Sequence, residues 1–208
     1  MVRVDGMVEK NFGEIIYQKE KGVALLKIGR PRKLNSLDAD GLSNLRQALT
    51  AADSNKDVRV IVITGSGNRA FSTGFDIFGV PDLSVAESRL LHINNQKLYC
   101  NLMGLGKVTI AAVNDVALGT GFEISLLCDL TVAAESATFS MSEMAFGAYP
   151  GQVAVTLLWQ FIGMKRSWEL LLTGKKLNAF EAASLGLVNE VVADNELMDR
   201  AMDLATTV

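Results

Sequence analysis

Two glutamates of this chain stand in mostly apolar stretches, where an acid is unexpected. Glu123 is the only acid of segment 116–128, and Glu143 is the only acid of segment 138–146. Glutamate is rarely buried without a partner, because removing a carboxylate from water costs free energy. Apolar, glycine-flanked surroundings shift carboxyl pKa values, so this pair indicates acid–base chemistry.

Two glycine-containing turns, at residues 70–76 and 118–123, each follow a predicted apolar strand. Glycine allows positive φ and close approach of the backbone to a ligand. A helix N-terminus also presents unpaired N–H groups and the positive end of a dipole. Two such turns facing each other could direct N–H donors at one oxygen, as in an oxyanion hole. For either turn alone, an ordinary strand-to-helix connection is the commoner interpretation.

The composition excludes several classes of protein. The 208 residues, 49% of them hydrophobic, are enough for one domain with a sizeable core. The net charge of −3 and the absence of like-charge runs argue against nucleic acid as a partner. No apolar run approaches membrane-spanning length. Cys100 and Cys128 fit neither a metal site nor a disulfide framework, so we expect a reducing, cytoplasmic setting.

Hydrophobic periodicity predicts an α/β domain in which strands alternate with helices and pair in parallel. Predicted strands span 14–20, 23–28, 58–64, 107–113, 130–134 and 188–192. Predicted helices span 84–102, 121–128, 153–162, 165–172, 179–185 and 195–205, and another, capped by Ser36, carries Leu42, Leu45, Leu49 and Ala52. The run 58–64 is apolar on both faces apart from Arg59, which is typical of a strand inside a parallel sheet.

A set of ordered motifs carries a family resemblance. They are segments 30–37, 58–65, 70–76, 110–114 and 117–123, then Cys128-Asp129, and later 147–151, 172–175 and 182–192. Together, from about residue 14 to residue 204, the chain resembles the crotonase family of enoyl-CoA hydratases and isomerases. The resemblance implies a spiral of strand-strand-helix units with flanking C-terminal helices. It also implies one domain over 1–208 that lacks the family's further C-terminal helical segment, and a homo-trimer or hexamer.

The resemblance also implies a site for an acyl-CoA thioester. Family hydratases use two glutamates, which match Glu123 and Glu143, whereas isomerases typically lack the first acid. The oxyanion hole of the family consists of two backbone N–H groups, which match Phe75 and Thr120. Further contacts with substrate or CoA are expected from Arg30, Lys33, Ser72, Gly74, Asp76 and Gly119. No metal or redox cofactor is expected, and coenzyme A enters as part of the substrate.

The implied reaction adds water across the 2,3 double bond of a trans-2-enoyl-CoA. Attack on the β-carbon puts negative charge on the thioester oxygen, where two N–H donors would stabilise it. One carboxylate deprotonates water while the other group protonates the α-carbon. The sequence leaves open which glutamate takes which role. It also leaves open another crotonase-type reaction (isomerase, thioester hydrolase, decarboxylase or dehalogenase) and a non-catalytic acyl-CoA-binding protein.

Several residues have a second interpretation. The basic residues at 30–33 are equally compatible with a solvated loop, and Asp76 more commonly would cap the next segment. His92, the only histidine, has no partner motif and is expected at the surface. Four aromatic residues could line an acyl pocket, although core packing is the default: Phe122, Phe139, Phe146 and Trp159. The side chains of Phe75, Thr120 and Phe122 depart from the small residues expected in the family's turns, which leaves acyl chain length open.

Overall fold

The structure is a computed structural model, and it describes residues 2–4, 7–76 and 84–208. Its strands are β1 Val2–Val4, β2 Met7–Phe12, β3 Ile15–Glu20, β4 Val23–Ile28, β5 Val60–Gly65, β6 Ala70–Ser72, β7 Val108–Val113, β8 Val116–Leu118, β9 Leu130–Ala134, β10 Thr138–Ser140, β11 Leu177–Asn178 and β12 Glu190–Val192. Its α-helices are α1 Ala39–Asp53, α2 Val85–Met103, α3 Thr120–Leu127, α4 Gln152–Ile162, α5 Met164–Thr173, α6 Ala179–Ser184 and α7 Leu197–Thr207.

The strands form two sheets. The larger has the order β1-β2-β3-β4-β5-β7-β9-β12, and the smaller has the order β11-β10-β8-β6. In the larger sheet, β1 to β4 pair antiparallel and the strands from β4 to β12 pair parallel. In the smaller sheet β6, β8 and β10 are parallel, and β11 runs antiparallel to β10. Parallel strands need crossover connections, and the helices supply them.

Successive units explain how the two sheets arise. The units β5-β6-α2, β7-β8-α3 and β9-β10-α4 each give one strand to the larger sheet and one to the smaller. Each unit therefore adds its two strands beside those of the unit before it, which is the predicted spiral of strand-strand-helix units. The α/β fold class is confirmed.

The larger sheet is covered on both faces, because alternate side chains of its parallel strands enter two separate clusters. Ile61 and Ile63 pack in the main core beside the buried face of α1. Val60 and Val62 pack on the opposite face against Leu197, Ala201 and Ala205 of α7. All of β5 is buried as a result, as the continuous apolar run predicted.

Most predicted elements agree with the structure, but the short ones were missed. The sequence did not predict β1, β6, β8, β10 or β11, because runs of two or three residues carry almost no periodic pattern. It also did not predict the six-residue β2, in which three consecutive polar residues, 9–11, interrupt the alternation of apolar and polar side chains. The predicted cap of α1 was wrong by two residues. Asp38, not Ser36, caps that helix, and its side chain accepts a hydrogen bond from the Gly41 N–H at 2.8 Å.

Candidate active site

Glu123 lies in the first turn of α3, a helix buried along nearly its whole length. Its side chain is almost fully buried, and each carboxylate oxygen has a hydrogen-bond donor. Oε1 accepts from the Ala154 N–H at 3.0 Å, and Oε2 accepts from the Tyr99 hydroxyl. Ala154 is in the first turn of α4, where backbone N–H groups have no partner within the helix. The Glu123 carboxylate therefore accepts from one of the unpaired N–H groups at the N-terminus of α4. The positive end of that helix dipole favours the ionised form of Glu123.

Glu143 begins a 3-10 turn, Glu143–Phe146, that follows β10. Its Oε1 lies against Gly119, so closely that a Cβ at Gly119 would be 2.5 Å from it. Gly119 also has φ +50°, a conformation that a side chain disfavours, so glycine is required there twice over. Among the described residues, Oε2 of Glu143 is buried without a hydrogen-bond partner.

The two carboxyl groups differ in what surrounds them. Burial, helped by the charge of Glu123, raises the pKa of Glu143 to about 7. Burial also raises the pKa of Glu123, but the Tyr99 hydroxyl and the N–H groups of Ala154 and Val153 oppose that rise. Donors stabilise a carboxylate, whereas an unpartnered buried oxygen favours the neutral acid. The donors around Glu123 thus stabilise its carboxylate form, whereas the burial of Glu143 favours its protonated form.

The turn after β6 is held by a neighbouring loop. Leu37 N–H donates to the Gly74 carbonyl at 2.8 Å, and Asp76 N–H donates to the Leu37 carbonyl at 2.9 Å. These two bonds make a parallel bridge between Leu37 and Phe75, in which the N–H of Phe75 itself points away from Leu37. Gly74 of this turn lies close to residues 118–120.

The two glycine turns predicted from the sequence are adjacent. Gly74 has φ +81°, and a Cβ there would lie 2.6 Å from the Leu118 carbonyl oxygen and 2.9 Å from the Thr120 nitrogen. Thr120 is the first residue of α3, so its N–H has no partner within the helix. The structure thus brings the Phe75 and Thr120 backbones to one place, although their roles as oxyanion donors stay a prediction.

Arg30 and Asp76 belong to a cluster of ion pairs. The Arg30 side chain, only 8% exposed, lies 2.7 Å from a carboxylate oxygen of Glu14, 2.9 Å from Asp38 and 3.4 Å from Asp76. Three carboxylates around one guanidinium leave it little capacity for a phosphate, so Arg30 ties loops together here. Asp76 also pairs with Lys33 at 3.0 Å. The segment that Asp76 was predicted to cap lies outside the described residues.

Lys33 is the more accessible of the two basic residues predicted to contact CoA, Arg30 and Lys33. Its side chain is 58% exposed, and it lines a surface cavity of about 360 Å³ together with residues 29–32 and Glu14. Ser72, by contrast, is fully buried. Its hydroxyl donates to the Asn35 carbonyl at 2.8 Å and accepts from the Gly74 N–H at 3.1 Å. The side chain of Ser72 therefore shapes the turn rather than facing a ligand.

Sequence reasoning missed three residues that build this site. Tyr99 contacts Glu123 from a mixed polar helix, and no motif marks a hydroxyl 24 positions away. Asn35 donates to the carbonyls of Ser66 and Ala70 at 3.0 and 2.7 Å, which anchors the loop beside β6. Gly151, quoted only as part of a motif, has space for no side chain next to Glu123.

The remaining candidates lie elsewhere. His92 is exposed, as predicted. Phe122 and Phe139 pack against each other in the core with ring centroids 5.5 Å apart. Phe146 and Trp159 are 65% and 47% exposed, so neither shows the core packing expected of an aromatic residue.

Within residues 2–4, 7–76 and 84–208, no helix is long and apolar enough to cross a membrane. No cluster of potential metal ligands occurs in the same described ranges.

Replacing Gly151 with alanine is expected to lower the catalytic efficiency of this site by about tenfold or more. A small displacement of a catalytic group from its reacting position is enough to lower the rate this much. The new Cβ would lie 2.3 Å from both carboxylate oxygens of Glu123, so the carboxylate must move. The backbone itself accepts alanine, since φ is −60°. Steady-state kinetics measure the loss.

Gly106→Ala is the matched control, because its Cβ would make only an ordinary contact, at 3.6 Å from Asp53. Equal activity of the Gly151→Ala variant and the wild type would contradict a catalytic position for Glu123. A melting temperature for each variant separates a displaced carboxylate from a failure to fold.

Comparison with known sequences gives consistent matches. A family model described as enoyl-CoA hydratase/isomerase matches residues 18–208. The chain is 37% identical to a crotonyl-CoA hydratase of Syntrophomonas wolfei, over 93% of this chain and 75% of that protein. It is 33% identical to a 2,3-dehydroadipyl-CoA hydratase of Escherichia coli, over 93% of this chain and 74% of that protein.

Solved structures are similar as well. An enoyl-CoA hydratase subunit from Geobacillus kaustophilus superposes with a TM-score of 0.90 at 38% identity, covering 95% of this chain and 76% of that one. An enoyl-CoA hydratase from Bacillus anthracis superposes with a TM-score of 0.90 at 32% identity, covering 94% of this chain and 76% of that one.

Proposed function

Because this chain belongs to the enoyl-CoA hydratase/isomerase family, we propose that it adds water across the 2,3 double bond of a trans-2-enoyl-CoA. The observation that carries the proposal is the pairing of Glu123 and Glu143 at one turn. Glu143 lies against Gly119 at the start of α3, and Glu123 lies in the first turn of that helix. Hydration needs two such groups, one to accept a proton and one to supply it.

The different surroundings of the two carboxyl groups support one division of the two roles. Glu123, with a donor on each oxygen, acts as the general base and removes a proton from water. Glu143, whose pKa is raised to about 7 by burial, acts as the general acid. Two nearby carboxyl groups with different surroundings hold their protons differently, which is a common way to divide these roles.

The proposed reaction balances as follows. The water oxygen forms a bond to the β-carbon, and its proton goes to Glu123. The electron pair of the double bond shifts to the thioester oxygen, which the N–H groups of Phe75 and Thr120 would stabilise. Removal of one oxyanion donor typically costs about 3–4 kcal/mol of barrier, so this pair would be a major contributor. The thioester carbonyl re-forms as Glu143 gives its proton to the α-carbon. Proton exchange with solvent then returns Glu123 to its ionised form and Glu143 to its protonated form.

Substrate binding is proposed from the remaining residues. Lys33 can meet a CoA phosphate from the edge of the 360 Å³ cavity, since a lysine ammonium suits phosphate. Gly74 and Gly119 allow a thioester close to the backbone of the two turns. Asp76 and Arg30 support these contacts indirectly by fixing Lys33 and the turn. In this proposal every catalytic group belongs to the protein, and coenzyme A takes part only as a portion of the substrate.

A hydration assay over a ladder of enoyl-CoA chain lengths tests the proposed function. We expect loss of the absorbance of the conjugated enoyl thioester without release of free thiol. The chain length with the highest kcat/KM then defines the acyl pocket. Thiol release would indicate a thioester hydrolase, and tight binding of acyl-CoA without turnover would indicate a binding protein; either result would reject hydration.

We also propose that copies of this chain associate, as a trimer or a pair of trimers. Large apolar side chains are exposed on α4, α5 and the preceding 3-10 turn, including Phe146, Trp159, Phe161 and Trp168, at 40–65% exposure. Clusters of exposed apolar side chains often mark interaction surfaces. Light scattering gives the mass, and a monomer at micromolar concentration would reject the proposal. A cytoplasmic setting stays a prediction based on the free Cys100 and Cys128.

A further inference from the structure

Tyr99 connects two parts of the site. Its side chain, 5% exposed, extends from α2, and its hydroxyl contacts both the carboxylate of Glu123 and the hydroxyl of Thr120, the latter at 3.3 Å. Thr120 is the first residue of α3, so both its backbone N–H and the side chain that reaches Tyr99 lie at the start of that helix. Neither hydroxyl has a role in the proposed reaction so far.

The chemistry of the three groups fixes the direction of the hydrogen bonds. Burial and the neighbouring Glu123 raise the pKa of the Tyr99 phenol, so the phenol keeps its single proton. In the proposed function Glu123 is ionised and can only accept, so that proton points to Oε2. The Thr120 hydroxyl must then donate to the Tyr99 oxygen. The result is a chain of donors from Thr120 through Tyr99 to Glu123.

We propose that Tyr99 is a positioning residue that holds Glu123 in its ionised, reactive orientation, and that the Thr120 hydroxyl directs the Tyr99 proton toward it. This inference rests on the proposed function, in which Glu123 is the base. With Ala154 N–H on Oε1 and Tyr99 on Oε2, the carboxylate is fixed at both oxygens. A hydrogen bond to a charged group is stronger than one between neutral groups, and a relayed donor is stronger again.

Within the part of the chain that the structure describes, the groups that act on Glu123 come from three elements. Helix α2 contributes Tyr99, the 3-10 turn contributes Glu143, and α4 contributes the backbone N–H groups of Val153 and Ala154. Removing the Tyr99 hydroxyl therefore removes one of the donors that oppose the effect of burial on the carboxylate. The pKa of Glu123 should rise, and the limb of the kcat/KM profile in which the base must be ionised should move to higher pH.

Tyr99→Phe is the first test. We expect kcat/KM to fall about tenfold or more, mostly in kcat, together with the shift of this limb to higher pH. Thr120→Val, which keeps the backbone N–H, should also shift this limb to higher pH, but by a smaller amount. Thr120→Ser, which keeps the hydroxyl, should return the limb to its wild-type position. In the Tyr99→Phe background, Thr120→Val should add almost nothing, because its effect passes through Tyr99. Tyr17→Phe removes the hydroxyl of another buried tyrosine and serves as the matched control.

A second measurement keeps this test separate from the proposed function. The carboxyl ¹³C resonance of Glu123, assigned by its loss in Glu123→Gln, can be titrated by NMR in the wild type and in Tyr99→Phe without any substrate. A higher pKa in Tyr99→Phe supports the inference even if no enoyl-CoA is hydrated. An unchanged pKa and an unchanged limb, with only a lower melting temperature, would reduce Tyr99 to a packing residue and overturn the inference. If the fold-reductions caused by Tyr99→Phe and Thr120→Val multiplied in the double variant, the two residues would act independently. That result would overturn the proposed chain of donors from Thr120 through Tyr99.

Discussion

Replacing Glu123 with glutamine is expected to lower kcat for hydration by about 10²- to 10⁴-fold, with a much smaller change in KM. Glutamine has nearly the same shape, but its amide cannot take a proton from water. Its oxygen can still accept from the Ala154 N–H, and its NH₂ group can donate to the Tyr99 oxygen, whose proton then turns to Thr120. The fold should therefore persist while the reaction is lost. Initial rates with the preferred enoyl-CoA measure the effect.

Glu135→Gln is the control for this substitution, because Glu135 is exposed in the turn after β9 and makes the same change of charge. We expect it to keep wild-type kinetics. Full activity of Glu123→Gln would reject Glu123 as the base. A lower melting temperature of Glu123→Gln, matched by a loss of folded protein, would instead assign the lost rate to folding.

Glu143→Gln is expected to reduce hydration to a similar extent, and to remove one limb of the pH profile. Burial raises the pKa of Glu143 to about 7, and the general acid works in its protonated form. The wild-type kcat/KM should therefore fall as pH rises through about 7. A glutamine has no proton to lose, so the residual activity of the variant should lack that fall. The measurement is a kcat/KM profile of both proteins across this range.

The direction of the limb decides between the roles. If the wild-type rate rose with pH through about 7 and Glu143→Gln removed that rise, Glu143 would be the base and the assignment would be reversed.

The stability of the folded protein gives an independent check on the pKa of Glu143. The raised pKa of Glu143 contributes stability that is present below 4.5, its ordinary value, and is lost as pH rises through about 7. The melting temperature of the wild type should accordingly fall relative to Glu143→Gln over this range.

Much of the candidate site could be predicted because its residues fall on ordered motifs. Glu123, Glu143 and the two glycine turns stand out by type, since an acid in an apolar run and a glycine after a strand are each unusual locally. The structure brings these separate segments together. The same reasoning predicted Arg30 as a CoA contact, yet its side chain is enclosed by three carboxylates. A basic residue in a loop has the same appearance in sequence whether it meets a phosphate or a carboxylate.

The sequence by itself determined the α/β class, the long strands and helices, and the identity of the two acids, because these depend on local periodicity and residue type. Only the tertiary structure decided how the acids differ. The Tyr99 hydroxyl reaches one carboxylate oxygen of Glu123 from another helix, and the Ala154 N–H donates to the other oxygen. Glu143 instead has a buried oxygen that lacks a donor among the described residues. The protonation of a carboxyl group depends on burial and on donors brought from distant segments, and no local pattern encodes those contacts.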